Sequence, residues 1–473
     1  MPVHTDEAVN ASILGGMLEG KRYEYDPVDR HGPTLYFATY PLVRCLGVHS
    51  LAELEAWELR LVPAVFGTAL LAALLLLRPG LTPGVLLATS LWLGLGAPFV
   101  YYGRYWIHET LFVLLTAMMI GAAWRYLRDG QRGSSILAGA SAGALLATKE
   151  TAVVALTGAF VSLVAVRLLG APLALPARRS AARDISIGIA AAVATAMLLF
   201  ASLGRNPHGV IDALESMGHA AARAGGQGHE KTPLAYLQWL LVPGIRSVPW
   251  CGWTLAAFGI PGAVLAWRRR RTDSLPIFLL AYTAAALCIY SAIPYKTPWL
   301  ELNFLTPGAV IAGIGLSSLC SSLAGSAGRA ASFVLLAGLV AVLASETRRL
   351  CFTYPSDPGN PLAYSPTVHD AERLAARVEG IVAGTPAPRG VVAVVGADIW
   401  PLPWYLRHCR NVGYWDEVPS SRVLAAVVSS AALYEKTANT LGPGWKQEIY
   451  GLRPEVLVVL FCRPDPGEAP NTP

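Results

Sequence analysis

The chain has 473 residues, 54% of them hydrophobic and only 14% charged, where soluble proteins carry about 25% charged residues. With a mean hydropathy of +0.45, this excludes an ordinary soluble enzyme, and many apolar runs approach the roughly 20 residues that cross a bilayer. The net charge of +6 comes mainly from short Arg clusters, so it reports membrane topology and gives no reason to expect a nucleic-acid partner.

Residues 1–58 are polar to mixed, with turn signals at Asp26-Pro27 and His31-Gly32-Pro33. No signal peptide is visible. The segment opens on His4-Thr5-Asp6-Glu7-Ala8. Adjacent carboxylates cannot lie in hydrocarbon, where a charge costs several kcal/mol, so they belong at the mouth of the first span. Leu35 to Leu46 is apolar and aromatic but too short to span, which suits a helix lying in the interface.

Candidate spans follow near 59–77, 81–101, 110–127, 135–148, 151–169, 184–203, 247–267, 275–293, 302–323 and 330–346, about ten in all. The pair 135–148 and 151–169 also reads as one long broken helix. With ten spans, Arg78, Arg125/Arg128/Arg132, Arg178/Arg179/Arg183, Arg268 to Arg271 and Arg329 fall on one face, which the positive-inside rule makes cytoplasmic. The other face receives 1–58, the 102–109 and 149–150 turns, the 204–246 loop, the 294–301 turn and everything after 347. That face is expected to be extracytoplasmic, on a multi-pass protein of the plasma (inner) membrane.

Segment 347–463 reads as a small α/β domain. Thr367 to Asp370 has the form of a capping box, opening a helix with Ala371, Leu374, Ala375, Val378, Ile381 and Val382 at helical spacing. Val391–Val395, Leu424–Val428 and Val456–Phe461 are short apolar runs expected as buried strands. Residues 464–473 are expected as a disordered tail. Seven cysteines are scattered with no zinc-like spacing. Lone thiols are expected, and a disulfide in the C-terminal region is the alternative.

Six polar groups gather on the outer face. Asp6 and Glu7, beside His4, suit a general base and a neighbour that helps it or holds a divalent ion, although a solvated tail with Asp as a helix cap would look the same. Arg104, Tyr105, His108 and Glu109 lie between two spans, where an acid needs a partner. Lys149 and Glu150 are costly between apolar runs unless paired or wet. His229, Glu230 and Lys231 follow Gly225-Gly226 in a loop that could be a lid or a solvated face. Lys296, in Tyr295-Lys-Thr-Pro-Trp299, could hold a lipid phosphate as a point charge or snorkel to headgroups. Trp400 and Trp404, in Trp-Pro-Leu-Pro-Trp-Tyr-Leu-Arg407, suit the apolar faces of sugars and a domain–membrane contact equally well.

The stretches HTDEAVNA (4–11), YDPVDRHGPTLYF (25–37), GRYWIHETLF (103–112), ATKET (147–151), GHEK (228–231), YKTPW (295–299) and WPLPWYLR (400–407) span nearly the whole chain in order. In them the sequence resembles the GT-C membrane glycosyltransferases, which include protein O-mannosyltransferases and the transferase that adds aminoarabinose to lipid A. It is most similar to a bacterial and archaeal group of flippase activity-associated membrane proteins. The resemblance implies inverting transfer of a sugar from a polyprenyl-phosphate donor to a glycan, lipid or protein acceptor. It implies Asp6 as catalytic base, with Glu7 and Glu109 assisting; Asp6 and Glu109 are the positions for a divalent cation, if one is used. His31, Arg104, His108, Lys149, Glu150, His229, Glu230, Lys296, Trp400 and Trp404 are the expected substrate contacts. Family members carry a hydrophobic span ahead of the Asp-Glu motif, so one N-terminal span is expected before Met1.

The expected fold is therefore a GT-C-like α-helical multispan membrane protein with a small C-terminal α/β extracytoplasmic domain. The rival function is a non-catalytic transporter or assembly protein for lipid-linked sugars. An ion-coupled solute transporter ranks lower, because the spans hold mainly Ser and Thr as polar residues.

Overall fold

The computed structural model describes every residue except 29, 174–177, 224, 226–229, 243–249, 251, 324, 385–389, 421 and 464–473. The tail at 464–473 and His229 thus lie outside the described residues.

Two short helices precede the apolar region: α1 (Thr5–Leu18) and α2 (Thr34–Cys45). The helices that follow are α3 (Ala56–Ala73), α4 (Pro83–Leu95), α5 (Ala97–Tyr102), α6 (Glu109–Asp129), α7 (Arg132–Leu146), α8 (Ala152–Leu168), α9 (Arg178–Phe200), α10 (Gly209–Arg223), α11 (Ala235–Leu241), α12 (Gly252–Arg268), α13 (Ser274–Ala292), α14 (Leu302–Ser322) and α15 (Gly325–Thr347). Among the described residues, six helical stretches are long and apolar enough to cross a membrane: Ala56–Leu77, Glu109–Asp129, Ala181–Phe200, Ser274–Ala292, Pro298–Ser322 and Gly325–Thr353. Pro83–Leu95 and Ala152–Leu168 are apolar but shorter.

Helices in lipid gain little from hiding apolar surface from one another, so close backbone approach at small residues holds them together. The α7–α9 contact shows this. A Cβ added to Gly139 would sit 1.9 Å from the Gly188 carbonyl oxygen, and one on Gly143 would sit 2.2 Å from that of Ala192. In contrast, α9 leaves Ile189, Val193 and Met197 exposed, the face expected of a helix against lipid.

The C-terminal part carries α16 (Asp370–Gly384), α17 (Leu402–Tyr405), α18 (Tyr434–Leu441) and strands β1 (Val391–Val395), β2 (Val412–Trp415), β3 (Leu424–Ser430), β4 (Lys446–Arg453) and β5 (Val456–Cys462). The sheet runs β2-β1-β3-β5-β4. β1 lies parallel to β2 and β3, and β5 lies antiparallel to β3 and β4. The three strands expected from apolar runs are the central three. β2 and β4 are edge strands with partly exposed, mixed residues, so they lack the continuous apolar signal of a strand covered on both faces.

The expected capping box at Thr367 is corrected. The helix begins at Asp370, and the Thr367 hydroxyl is buried without a hydrogen-bond partner among the described residues. His369 instead pairs with Glu372 at 2.9 Å. Cys351, Cys409 and Cys462 are free thiols. One apolar cluster joins Val3, Leu14 and Trp106 to Leu374, Val394 and Trp404, so the N-terminal segment and the C-terminal sheet share a core.

Candidate active site

The start of α1 separates the two adjacent acids. His4 is the N-cap: its Nδ1 accepts from the Asp6 N–H at 3.1 Å, and the Glu7 carboxylate accepts from the His4 N–H at 3.1 Å. This reciprocal arrangement closes a capping box and satisfies two backbone donors that the helix leaves over. Glu7 is 1% exposed. Arg60 donates to it through Nε at 2.8 Å and Nη2 at 2.7 Å, and the Trp106 N–H adds a bond at 3.0 Å. Burial alone would raise its pKa. The Arg60 charge and hydrogen bonds, with those from the Trp106 and His4 amides, outweigh burial and hold the pKa below the ordinary carboxylate value. Asp6 is different: its side chain is 44% exposed, and its nearest ionic neighbour is His4 at 3.8 Å.

Arg60 was not singled out from sequence, because it looks like a charge at the edge of an apolar run. That position is itself the signal, since a cation there requires a partner. It also donates to the carbonyls of Met1 at 2.9 Å and Pro2 at 3.2 Å. The Tyr405 hydroxyl accepts from the Val3 N–H at 2.7 Å. The segment leading into Asp6 is therefore gripped from the helical bundle and from α17.

Aromatic rings bring distant stretches to the same place. The His4 ring meets Tyr105 edge-on at 5.1 Å and Trp299 at 6.5 Å, and its Nε2 lies 2.7 Å from the Tyr364 carbonyl. Trp299 lies 6.3 Å from Tyr105 and 5.6 Å from Tyr364. The 4–8, 104–106 and 295–299 stretches and Tyr364 thus converge around His4, two residues from the open carboxylate of Asp6.

A second polar cluster lies alongside, linked through Tyr36, whose ring is 6.3 Å from Trp106 and 5.9 Å from His108. Lys149 and Glu109 form a buried ion pair. His31 Nδ1 meets Glu150 Oε2 at 2.9 Å, and the Tyr25 hydroxyl donates to Oε1 at 3.3 Å. Burial opposes ionisation of Glu150, but His31 and the neighbouring donors prevail, and its pKa falls to about 2. His108 is buried, 5.3 Å from His31, with Nε2 3.2 Å from the Gly32 carbonyl. Burial, then the His31 and Lys149 charges, push its pKa well below the ordinary imidazole value. Gly32 is required here: a Cβ would sit 2.0 Å from the Ala147 carbonyl oxygen. The Gly32 N–H bonds to the Thr148 carbonyl at 3.1 Å, fastening the 25–37 loop to the turn after α7.

Lys296 is 0% exposed. Its ammonium donates to the Ile293 carbonyl and lies 6.0 Å from the Tyr236 ring, with no carboxylate partner among the described residues. Backbone bridging between Glu230 and Tyr295, with a Lys231 N–H to Pro294 carbonyl bond of 3.1 Å, lays Glu230 and Lys231 beside it. Glu301 was also missed from sequence. It is 1% exposed, and neither carboxyl oxygen has a hydrogen-bond partner among the described residues.

Two expected substrate contacts already have protein partners. Arg104 donates to the Cys351 carbonyl at 2.6 Å and stacks 4.1 Å from the Phe352 ring. Trp404 is buried, with the Arg407 guanidinium 4.0 Å above its ring, and Trp400 packs half-buried in the same cluster. Trp404 therefore offers no open face to a sugar. The cation positions also do not fit. Glu109 is committed to Lys149 and Glu7 to Arg60, and no group of three or more His, Cys, Asp or Glu among the described residues could hold a metal ion.

No protein-family model and no curated protein sequence matches the chain. Solved structures do. ArnT from Cupriavidus metallidurans bound to undecaprenyl phosphate matches with TM-score 0.66 and 15% identity, over 97% of this chain and 94% of that one. The archaeal oligosaccharyltransferase AglB from Archaeoglobus fulgidus, in complex with an inhibitory peptide and a dolichol-phosphate, matches with TM-score 0.54 and 11% identity, over 91% of this chain and 66% of that one. The Archaeoglobus fulgidus oligosaccharyltransferase in complex with Zn and sulfate matches with TM-score 0.54 and 11% identity, over 95% of this chain and 69% of that one. The chain shares its fold with these structures, and among its described residues six helical stretches are long and apolar enough to cross a membrane. The likeness to ArnT runs along nearly the full length of both chains.

Proposed function

We propose that the chain is a membrane glycosyltransferase that moves a sugar from a polyprenyl-phosphate donor to an acceptor at the extracytoplasmic face. One observation carries this reading: of two adjacent acids, the fold neutralises Glu7 with Arg60 and leaves Asp6 open at a junction of motif stretches. Asp6 takes the proton of the acceptor hydroxyl as its oxygen attacks the anomeric carbon from the face opposite the phosphate. The bond from that carbon to the phosphate oxygen breaks, and the phosphate leaves with the electron pair, inverting the centre. Lys296, a buried ammonium with no carboxylate partner, supplies the charge that the departing phosphate needs. Glu7 and Arg60 position Asp6, and Lys149–Glu109 and His31–Glu150 shape the adjoining wall.

The neighbours support this reading: ArnT was solved with undecaprenyl phosphate and AglB with a dolichol-phosphate. Among the described residues no group of three or more His, Cys, Asp or Glu could hold a cation. Glycolipid profiling of a deletion strain, complemented with wild type or Asp6→Asn, tests the proposal. The missing glycolipid should return with wild type and stay absent with a normally expressed Asp6→Asn protein. Full restoration by that variant would favour a transport or assembly role.

A further inference from the structure

Three turns meet at the end of the helical bundle away from Asp6. Helix α6 carries Glu109 at the site end and Arg128 near the other, a length of 21 residues or about 30 Å. There the turn 78–80 packs on α6 and on the start of α13. A Cβ added to Gly80 would sit 2.9 Å from Trp124 Nε1 and 2.6 Å from Leu275 Cδ2. The turn between α12 and α13 is closed by the Asp273 N–H, which donates to the Arg269 carbonyl at 2.9 Å. The charges of Arg128 and Arg269 both act on the Asp273 carboxyl, so both cations stand at this junction. Trp124 and Arg128 are one turn apart and share a face of α6.

The junction carries an excess of positive charge. Arg78, Arg125, Arg128 and the four arginines at 268–271 stand against Asp129 and Asp273. Asp273 already accepts from the Leu275 N–H at 3.4 Å as the N-cap of α13. Arg270 is engaged by the Trp267 carbonyl and ring. Arg78, Arg128 and Arg269 close no ion pair among the described residues. A second observation points the same way. Trp124 is 9% exposed, and its indole N–H is buried with no acceptor among the described residues. The Arg125 Nε–H is buried and unpartnered in the same sense. A buried indole N–H ordinarily finds an acceptor. Orphaned donors beside uncommitted guanidiniums suit an anion with several acceptor oxygens, and arginine matches phosphate through paired bonds.

The surroundings say which kind of phosphate. The 56–77 membrane stretch ends at Arg78. Leu75, one turn before Arg78, is an exposed apolar side chain, as are Val264 and Trp267 just before Arg268. The junction therefore sits where lipid-facing surface gives way to charge, the place where basic pockets between membrane helices take lipid headgroups. We propose that the turns 78–80, 124–128 and 268–273 bind the phosphate of an anionic phospholipid, with its acyl chains along Leu75 and Trp267. The site is separate from Asp6 and Lys296 and does not depend on the transferase reading.

The test uses purified full-length protein in a neutral detergent, with bound lipid read by native mass spectrometry. Phosphatidylglycerol should be retained at about tenfold lower concentration than zwitterionic phosphatidylcholine. Arg128→Gln and Arg269→Gln should each weaken phosphatidylglycerol binding about fivefold, the scale of one arginine at a lipid headgroup. Trp124→Phe keeps every charge and removes only the N–H, and it should weaken binding about threefold or more. Should that variant fail to fold, Gly80→Ala takes its place, because the new Cβ crowds the same N–H. Arg329→Gln, on α15, removes a charge elsewhere and should bind like wild type. Inorganic phosphate should leave the lipid in place. Equal retention of the two lipids, a loss in Arg329→Gln as large as in Arg128→Gln, wild-type binding by the folded Trp124→Phe or Gly80→Ala protein, or displacement of the lipid by inorganic phosphate would overturn the inference.

Discussion

Arg60 and Glu7 meet through two parallel bonds of 2.8 and 2.7 Å, with the carboxylate wholly buried. The same guanidinium holds the Met1 and Pro2 carbonyls. Removing it strands a charge that cannot reach water, which costs about 3–5 kcal/mol for a buried pair. Arg60→Met should therefore lower the thermal midpoint of the purified protein sharply, and Arg60→Met combined with Glu7→Gln should recover much of the loss. Equal midpoints for the single and double variants would show that the pair does not act as a unit.

Lys149 and Glu109 form the second buried pair. Either Lys149→Met or Glu109→Gln alone should destabilise by several kcal/mol, and the double variant by much less, giving a coupling of about 1–3 kcal/mol. A double-mutant cycle on thermal or denaturant unfolding measures this coupling. Strict additivity would contradict the pairing.

Lys296 should behave in the opposite way. Its ammonium is buried without a carboxylate, a costly state retained at sites that serve function. Lys296→Met is expected to keep or raise the thermal midpoint while cutting transfer by at least about tenfold. Lost stability with unchanged transfer would remove Lys296 from the phosphate site.

Glu150, with a folded pKa of about 2 against an ordinary 4.5, gives a pH dependence with a definite sign. The unfolded chain binds the proton more readily, so this contribution is complete above about pH 5 and fades as pH falls toward 2. The full shift corresponds to roughly 3 kcal/mol. Wild type should lose stability over this window more steeply than Glu150→Gln, as read from thermal midpoints at successive pH values. Parallel curves would mean that Glu150 is not held ionised by His31.

Much of the fold was legible because membrane helices and fully covered strands leave long apolar signals. The central strands β1, β3 and β5 announce themselves as runs of Val and Leu, whereas β2 and β4 at the edges carry Lys446, Glu448 and Tyr414 and do not. At the site, spacing identified the stretches that carry polar groups but not the directions of their side chains. Arg104 and Lys296 look alike as cations in outer turns, yet one donates to the Cys351 carbonyl and stacks on Phe352 while the other donates to the Ile293 carbonyl near the Tyr236 ring. Asp6 and Glu7 are adjacent acids until Arg60, some fifty residues away, chooses between them. Trp404 reads equally as a sugar platform or a membrane contact, and the fold places the Arg407 guanidinium over its ring. These outcomes depend on long-range contacts, which no local pattern records.

The central claim is that Asp6 is the base and Glu7 its support. Its most direct measurement is transfer by purified protein in proteoliposomes containing a polyprenyl-phosphate sugar and the lipid extract of a deletion strain. Wild type should give product with inverted anomeric configuration. Asp6→Asn should fold with an unchanged thermal midpoint and lose at least about a hundredfold in turnover, the scale of general base catalysis. Wild-type turnover in Asp6→Asn, or a retained anomeric configuration, would contradict the account.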